Sequence, residues 1–219
     1  MRNPLLLLLV VLLFCFVSAN AQMPDEPIQK KVGLGVKVGA GSILGDDLSK
    51  TDQSIGPVTS LEGHYNLAGT VEAILEFAYG YNDVNFRLGN AEVTRIYQRS
   101  ATIGFRFYLQ KFKMGNILPT FSAGAGIYQW YYTNNDAPLN LSKDGIQTYK
   151  GEEMDFNSLG INAGLGFRYQ VSEKFALDGI ARFHFIQSKD NTGKFGEDDD
   201  HDMNIDFGIG FVYLFPINR

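Results

Sequence analysis

Residues Ser158 to Gln170 read SLGINAGLGFRYQ, and alternate positions carry opposite chemistry. Leu159, Ile161, Ala163, Leu165, Phe167 and Tyr169, continued by Val171, form one apolar row. Ser158, Gly160, Asn162, Gly164, Gly166, Arg168 and Gln170 form the other. A period of two belongs to a β-strand with two unlike faces, and no helix shares it. The second face sets the problem, because glycines and an arginine lie on it together.

The same alternation recurs in seven other places. Val32, Leu34, Val36, Val38 and Ala40 oppose Lys31, Gly33, Gly35, Lys37, Gly39 and Gly41; a weaker segment runs from Val58 to Leu67. Val71 to Tyr81 sets an apolar row against Glu72, Ile74, Glu76 and Gly80, and residues 95 to 109 set Ala101, Ile103, Phe105, Phe107 and Leu109 against Gln98, Ser100, Thr102, Gly104 and Arg106. Residues 118 to 132 oppose Phe121, Ala123, Ala125 and Ile127 to Thr120, Ser122, Gly124 and Gly126. Phe175 to Ile186 and residues 203 to 215 complete the set. The connections alternate too: short near Ala68–Gly69, at 110 to 117 and at Ser172 to Lys174, long at 42 to 56, 82 to 94, 133 to 157 and 187 to 202. This layout predicts an all-β chain, an eight-stranded antiparallel transmembrane β-barrel with short periplasmic turns and long extracellular loops.

Alternation alone fits a water-soluble barrel with its apolar face inward as well. Three features favour the inverted arrangement. The polar face is rich in glycine and small residues, as a narrow eight-stranded lumen requires. Aromatic residues gather at the segment ends: Tyr79, Tyr81, Tyr97, Tyr128, Trp130 and Tyr131 toward the long loops, Tyr65, Phe107, Tyr169, Phe175, Tyr213 and Phe215 toward the short turns. Two such belts are what membrane interfaces select. The polar face also carries Lys31, Lys37, Arg106, Arg168 and Arg182 against Glu62, Glu72, Glu76, Asp178 and Asp206, and charges in a membrane turn away from lipid. His64, Gln98, Asn162 and Gln170 are expected in the same lumen network.

The first residues carry a different signal. Arg2, an apolar run from Leu5 to Val17, then Ser18, Ala19, Asn20 and Ala21 read as a secretory signal peptide, too short to span a bilayer as a helix. Cleavage after Ala21 divides the chain into a signal peptide at 1–21 and a barrel domain at 22–219. The single cysteine, Cys15, lies in that leader behind Phe14, where lipoprotein processing takes a small residue, so it is read as filler. The whole sequence of 219 residues has 19 Lys and Arg, 24 Asp and Glu, and net charge −5; without 21 residues, of which Arg2 is the charged one, 198 remain at −6. An acidic chain lacks the basic footprint of a nucleic-acid binder.

With these features in view, the chain resembles the small outer-membrane barrels of the OmpA, OmpX and OmpW type. The turn YQVSEKFAL (169 to 177) and the closing strand FGIGFVYLF (207 to 215) carry the resemblance with the leader and the eight segments. Such proteins often end on an aromatic residue that the barrel assembly machinery reads, whereas Phe215 here is followed by Pro216, Ile217, Asn218 and Arg219. The resemblance implies location in the cell outer membrane. Its expected partners are outer-membrane lipid and lipopolysaccharide, the assembly machinery and an extracellular ligand at the loops, with no nucleic acid and a monomeric state.

Three functions are weighed. The first is a structural or surface-interaction barrel with an occluded, ion-paired lumen, acting through its loops. The second is a small pore, or OmpW-like transport of small solutes, for which Ile74 and Ile180 are the main bulky apolar residues inside. The third is a lipid A-modifying enzyme using His184 and Ser188, but His184 shares parity with Asp178 and Arg182 and so faces the lumen, away from lipid. No residue is assigned as catalytic, cofactor-binding or metal-binding, and the chain is read as a non-enzyme. Two oddities remain. Glu197, Asp198, Asp199, Asp200, His201 and Asp202 form an acidic loop that a divalent ion could bridge to phosphate, although a solvated loop is the plainer reading. Arg95 and Arg99 fall on the apolar parity: either they reach lipopolysaccharide phosphates, or a bulge shifts the register.

Overall fold

A computed structural model describes residues 31–44, 55–88, 91–135, 137–138, 140–142, 145–147, 152–153, 155–187 and 201–216. Eight long strands follow the alternating segments: β1 Lys31–Leu44, β2 Gly56–Ala68, β3 Val71–Leu88, β4 Ala91–Tyr108, β5 Ile117–Asn134, β6 Asp155–Gln170, β7 Phe175–Gln187 and β8 His201–Pro216. Each pairs antiparallel with its sequence neighbour. β8 also pairs with β1, from Lys31↔Pro216 to Leu44↔Met203, so the sheet closes and keeps no free long edge there. Closure is what a bilayer demands, because hydrocarbon offers no partner to an open row of N–H and C=O groups. Among the described residues no helix is long and apolar enough to cross a membrane.

The register sets the width. Starting at Val32 and stepping from partner to partner gives Tyr65, Ala73, Phe105, Ala123, Ala163, Phe183 and Ile205, then Ser42 on β1. The stagger from Val32 to Ser42 is ten residues for eight strands. At a rise of ~3.3 Å and a spacing of ~4.7 Å this tilts the strands by about 41° and gives a backbone radius of about 8 Å. An interior that narrow is filled by its own side chains.

The faces are inverted relative to a soluble protein. Leu165 is 64 % exposed, Ile161 61 %, Ile103 65 % and Ile209 65 %, whereas Lys37, Glu62, Glu76 and Arg168 are all buried. The glycines of the polar face make room. A Cβ on Gly160 would come within 2.8 Å of the Tyr128 ring, and one on Gly208 within 2.8 Å of the Lys37 stem. Glycine and arginine share the inner face because the ring and the long cations need the volume that glycine leaves.

The aromatic belts stand with one correction. Tyr213 meets Phe215 at 4.5 Å and Phe175 at 4.9 Å on the short-turn side, and Tyr97 stacks on Tyr131 at 4.9 Å on the loop side. Phe107 and Tyr97 lie ten residues apart on the outer face of β4, about 25 Å along the axis at this tilt, the height of the apolar band of an outer-membrane barrel. Tyr128 and Trp130, assigned above to the outer belt, instead point inward at 1 % and 8 % exposure. They share the even parity of Ser122, Gly124 and Gly126, and parity decides the face.

Two expected loops contain strand. The connection at 82 to 94 is largely a continuation of β3 and β4, paired out to Leu88↔Ala91 with a register shift between Asp83 and Phe86. Within 133 to 157, Ala137–Pro138 pairs back on β5, and Asn140–Ser142, Gly145–Gln147 and Glu152–Glu153 form a separate three-stranded sheet. Eighteen-residue strands such as β3 and β4 exceed the ~9–11 residues a crossing needs, so their outer ends continue past the membrane. The proposed signal peptide at 1–21 lies outside the described residues.

The lumen as candidate functional site

The inner face is arranged in layers along the axis. Nearest the periplasmic turns, Arg168 on β6 donates through Nε to Asp178 Oδ1 at 2.7 Å and through Nη2 to Oδ2 at 2.8 Å, and crosses the lumen to Glu72 Oε1 at 3.0 Å. Arg106 on β4 serves the same two carboxylates, at 3.3 Å to Glu72 and in a short bond to Asp178. The Tyr108 hydroxyl donates to Glu72 at 2.9 Å and also meets Arg168. His64 stands between Glu72 at 3.2 Å and Glu62 at 3.3 Å.

In the middle layer Glu62 and Glu76 are direct cross-strand partners, a like-charged pairing that by itself destabilises a sheet. Lys37 removes the conflict, its Nζ reaching Glu62 at 2.9 Å and Glu76 at 2.7 Å. Arg182, from the opposite wall, closes on Glu76. Above it, His184 Nε2 contacts Asp206 at 2.6 Å, its Nδ1 contacts the Tyr128 hydroxyl at 2.8 Å, and Asn162 donates to that hydroxyl at 3.2 Å. Asn204 donates to Gln98 at 2.5 Å.

Of the ten charges expected inside, nine are buried there. Lys31 is the exception: its Nζ reaches the Glu173 carbonyl at 3.4 Å at the turn, since it stands at the very start of β1. Four buried cations thus face five buried carboxylates. Gln170 also departs from the network. It bonds the Ser172 and Phe175 carbonyls of the β6–β7 turn.

Apolar side chains stand at both ends of the lumen, beyond those the sequence analysis named. Ala176, Val212 and Leu214 are buried at the periplasmic side, and Ile96, Trp130 and Ile186 at the loop side. All six have the inward parity of their strands, so the signal was available. Bulky apolar interior residues therefore extend well beyond Ile74 and Ile180. Between these side chains lie cavities of about 20 Å³ beside Glu62 and Arg182 and beside Tyr128 and His184, and one of about 30 Å³ lined by Ile43, Ile96, Trp130, Ile186 and Met203. Each has room for about one or two waters.

Among the described residues, Glu62, His64 and Asp178 could offer a metal ion three ligand atoms within 4.8 Å of one another. Arg106 and Arg168 already neutralise Asp178 there, so an incoming cation would meet two guanidinium groups. His184 and Ser188 are not brought together by anything described: His184 is in the lumen and Ser188 lies outside the described residues. Of the acidic loop, Glu197 to Asp200 also lie outside them, and His201 and Asp202 already begin β8. Arg95 and Arg99 sit on the outer face with no register shift, since pairing is continuous from Arg95↔Thr133 to Tyr108↔Thr120; the bulge lies farther out. Arg95 bonds Asp83 at 2.6 Å with its guanidinium 4.6 Å over the Tyr81 ring.

A closed cylinder with a lipid-facing apolar band between two aromatic belts and a salt-linked interior is an integral barrel of an outer membrane. The chain belongs to the family described as Outer membrane protein beta-barrel domain, whose model matches residues 7–215. Among solved structures it is similar to Neisserial surface protein A, at 10 % identity over 84 % of this chain and 97 % of that one, TM-score 0.57. It is also similar to OprG from Pseudomonas aeruginosa, at 15 % identity over 90 % and 100 %, TM-score 0.52, and to Ail of Yersinia pestis, at 12 % over 86 % and 100 %, TM-score 0.50. At these identities the likeness is one of fold. No curated protein matches the chain.

Proposed function

We propose that this protein is a closed, non-enzymatic barrel that displays its extracellular strands and loops as an interaction surface. The observation that carries the reading is the layered lumen, in which nine buried charges lie between apolar layers and the cavities beside Glu62 and Arg182 and beside Tyr128 and His184 measure about 20 Å³ each. A hydrated ion or small solute would have to break several buried ion pairs to pass, each costing several kcal/mol. The long ends of β3, β4 and β5 and the small sheet of Asn140–Ser142, Gly145–Gln147 and Glu152–Glu153 offer that surface. The partners this implies are outer-membrane lipid around the wall and an extracellular ligand at the loops, with the barrel acting as a monomer.

Transport of small solutes is the second reading. The apolar layer of Ile96, Trp130 and Ile186 favours it, because such a mouth would admit an apolar molecule. The ionic layers directly beneath argue against through-passage. Planar-bilayer recording with the full chain separates the two: the closed barrel gives no steady stepwise current, and regular single-channel steps would overturn it.

A further inference from the structure

The outer face of the β3–β4–β5 wall changes character over three rows. The row Phe77, Ala101, Ile127 is apolar, with Ile127 55 % exposed. The next row toward the loops is Tyr79, Arg99, Gln129, and the one beyond it Tyr81, Tyr97, Tyr131. Arg99 is exposed on the lipid side, one row inside Tyr81, Tyr97 and Tyr131, at the outer border of the apolar band. Its guanidinium lies 5.2 Å from the Tyr131 ring centroid, and the Tyr131 ring is stacked nearly parallel on Tyr97. Arg95 stands two rows beyond Arg99, held by Asp83 and Tyr81.

An arginine on the lipid side at this depth is costly unless its head reaches an anion at the interface. Stacking on rigid rings directs the planar fork, and a guanidinium fork matches phosphate geometry. Arg95 is engaged by Asp83, and Asp155 on β6 stands in register beyond Tyr131, so Arg99 faces the outer leaflet from a wall that carries charges of both signs. Tyr79 is the register partner of Arg99 on β3.

We propose that Arg99, supported by Tyr97 and Tyr131 and backed by Arg95, binds the phosphate of an outer-leaflet glycolipid headgroup. The site rests on this face meeting lipid and is independent of whether the lumen is closed. To test it, the full-length protein is assembled in phosphatidylcholine nanodiscs containing a bisphosphorylated acylated glucosamine disaccharide or its dephosphorylated counterpart, and bound glycolipid is counted by native mass spectrometry.

The wild type should retain the phosphorylated lipid about tenfold better, Arg99→Gln should erase the preference, and Arg99→Lys should keep part of it. Equal retention of the two lipids by the wild type overturns the proposal without any variant. An undiminished preference in Arg99→Gln, with folding verified by heat-dependent gel migration, overturns it as well. Displacement of the glycolipid by millimolar inorganic phosphate would make this a site for free anions and overturn the lipid assignment.

Discussion

Replacing Arg168 by Met removes the cation that ties the lowest lumen layer together while keeping most of its aliphatic volume. Three well-formed bonds go, two to Asp178 at 2.7 and 2.8 Å and one to Glu72 at 3.0 Å. At ~1.5–3 kcal/mol each they would sum to roughly 5–9 kcal/mol, but Arg106 still reaches both carboxylates and limits the loss. The governing effect is therefore one uncompensated charge among groups no more than 3 % exposed, about 3–5 kcal/mol. With a slope of ~2 kcal/mol per molar urea, the unfolding midpoint in lipid vesicles should fall by about 2 M. Trp130, the single tryptophan, reports the transition as it leaves the lumen for water. Adding Asp178→Asn to Arg168→Met removes the excess charge and should recover about half of the loss. A midpoint within 0.3 M or so of wild type for Arg168→Met alone would refute the ion-paired lumen, because surface substitutions stay within about 0.5 kcal/mol.

Trp130 emission should be quenched weakly by lipids brominated along the acyl chain and remain blue-shifted, since its ring faces the lumen; strong quenching would return it to the outer belt. Leu165→Lys, at the middle of the lipid face, should cost about 2–4 kcal/mol of folding into vesicles by urea titration. A cost near zero would mean that the position faces water. Gly160→Leu drives a side chain into the Tyr128 ring and should cost about 1–3 kcal/mol. It should also shift the resonances of His184, which bonds Tyr128; an unperturbed His184 spectrum would contradict the packing.

Much of this architecture was legible in the sequence for a simple reason. A strand alternates its faces with a period of two, so one parity assignment per segment sorts every side chain to lipid or lumen. Leu159 to Tyr169, Glu62, Glu76 and Arg182 all follow that rule. Tyr128 and Trp130 leave the outer belt that residue type suggests because even parity turns them inward, and the same parity turns Ile96, Ile186, Val212 and Leu214 into the lumen. Neighbours across short turns follow as well: once the β6–β7 turn is set at Ser172 to Lys174, centred on Glu173, Arg168 must lie opposite Asp178.

Contacts across the lumen could not be read that way. Arg168 with Glu72, Arg106 with Asp178, and Arg182 with Glu76 join strands that are not neighbours. Which of them meet depends on the tilt and radius set by eight strands closing with a ten-residue stagger, a property of the whole ring that no single segment contains. Arg182 is the clearest case. Its register neighbour is Asp206, yet its guanidinium crosses to Glu76 and leaves Asp206 to His184, because a narrow cylinder brings the opposite wall as close as the adjacent strand.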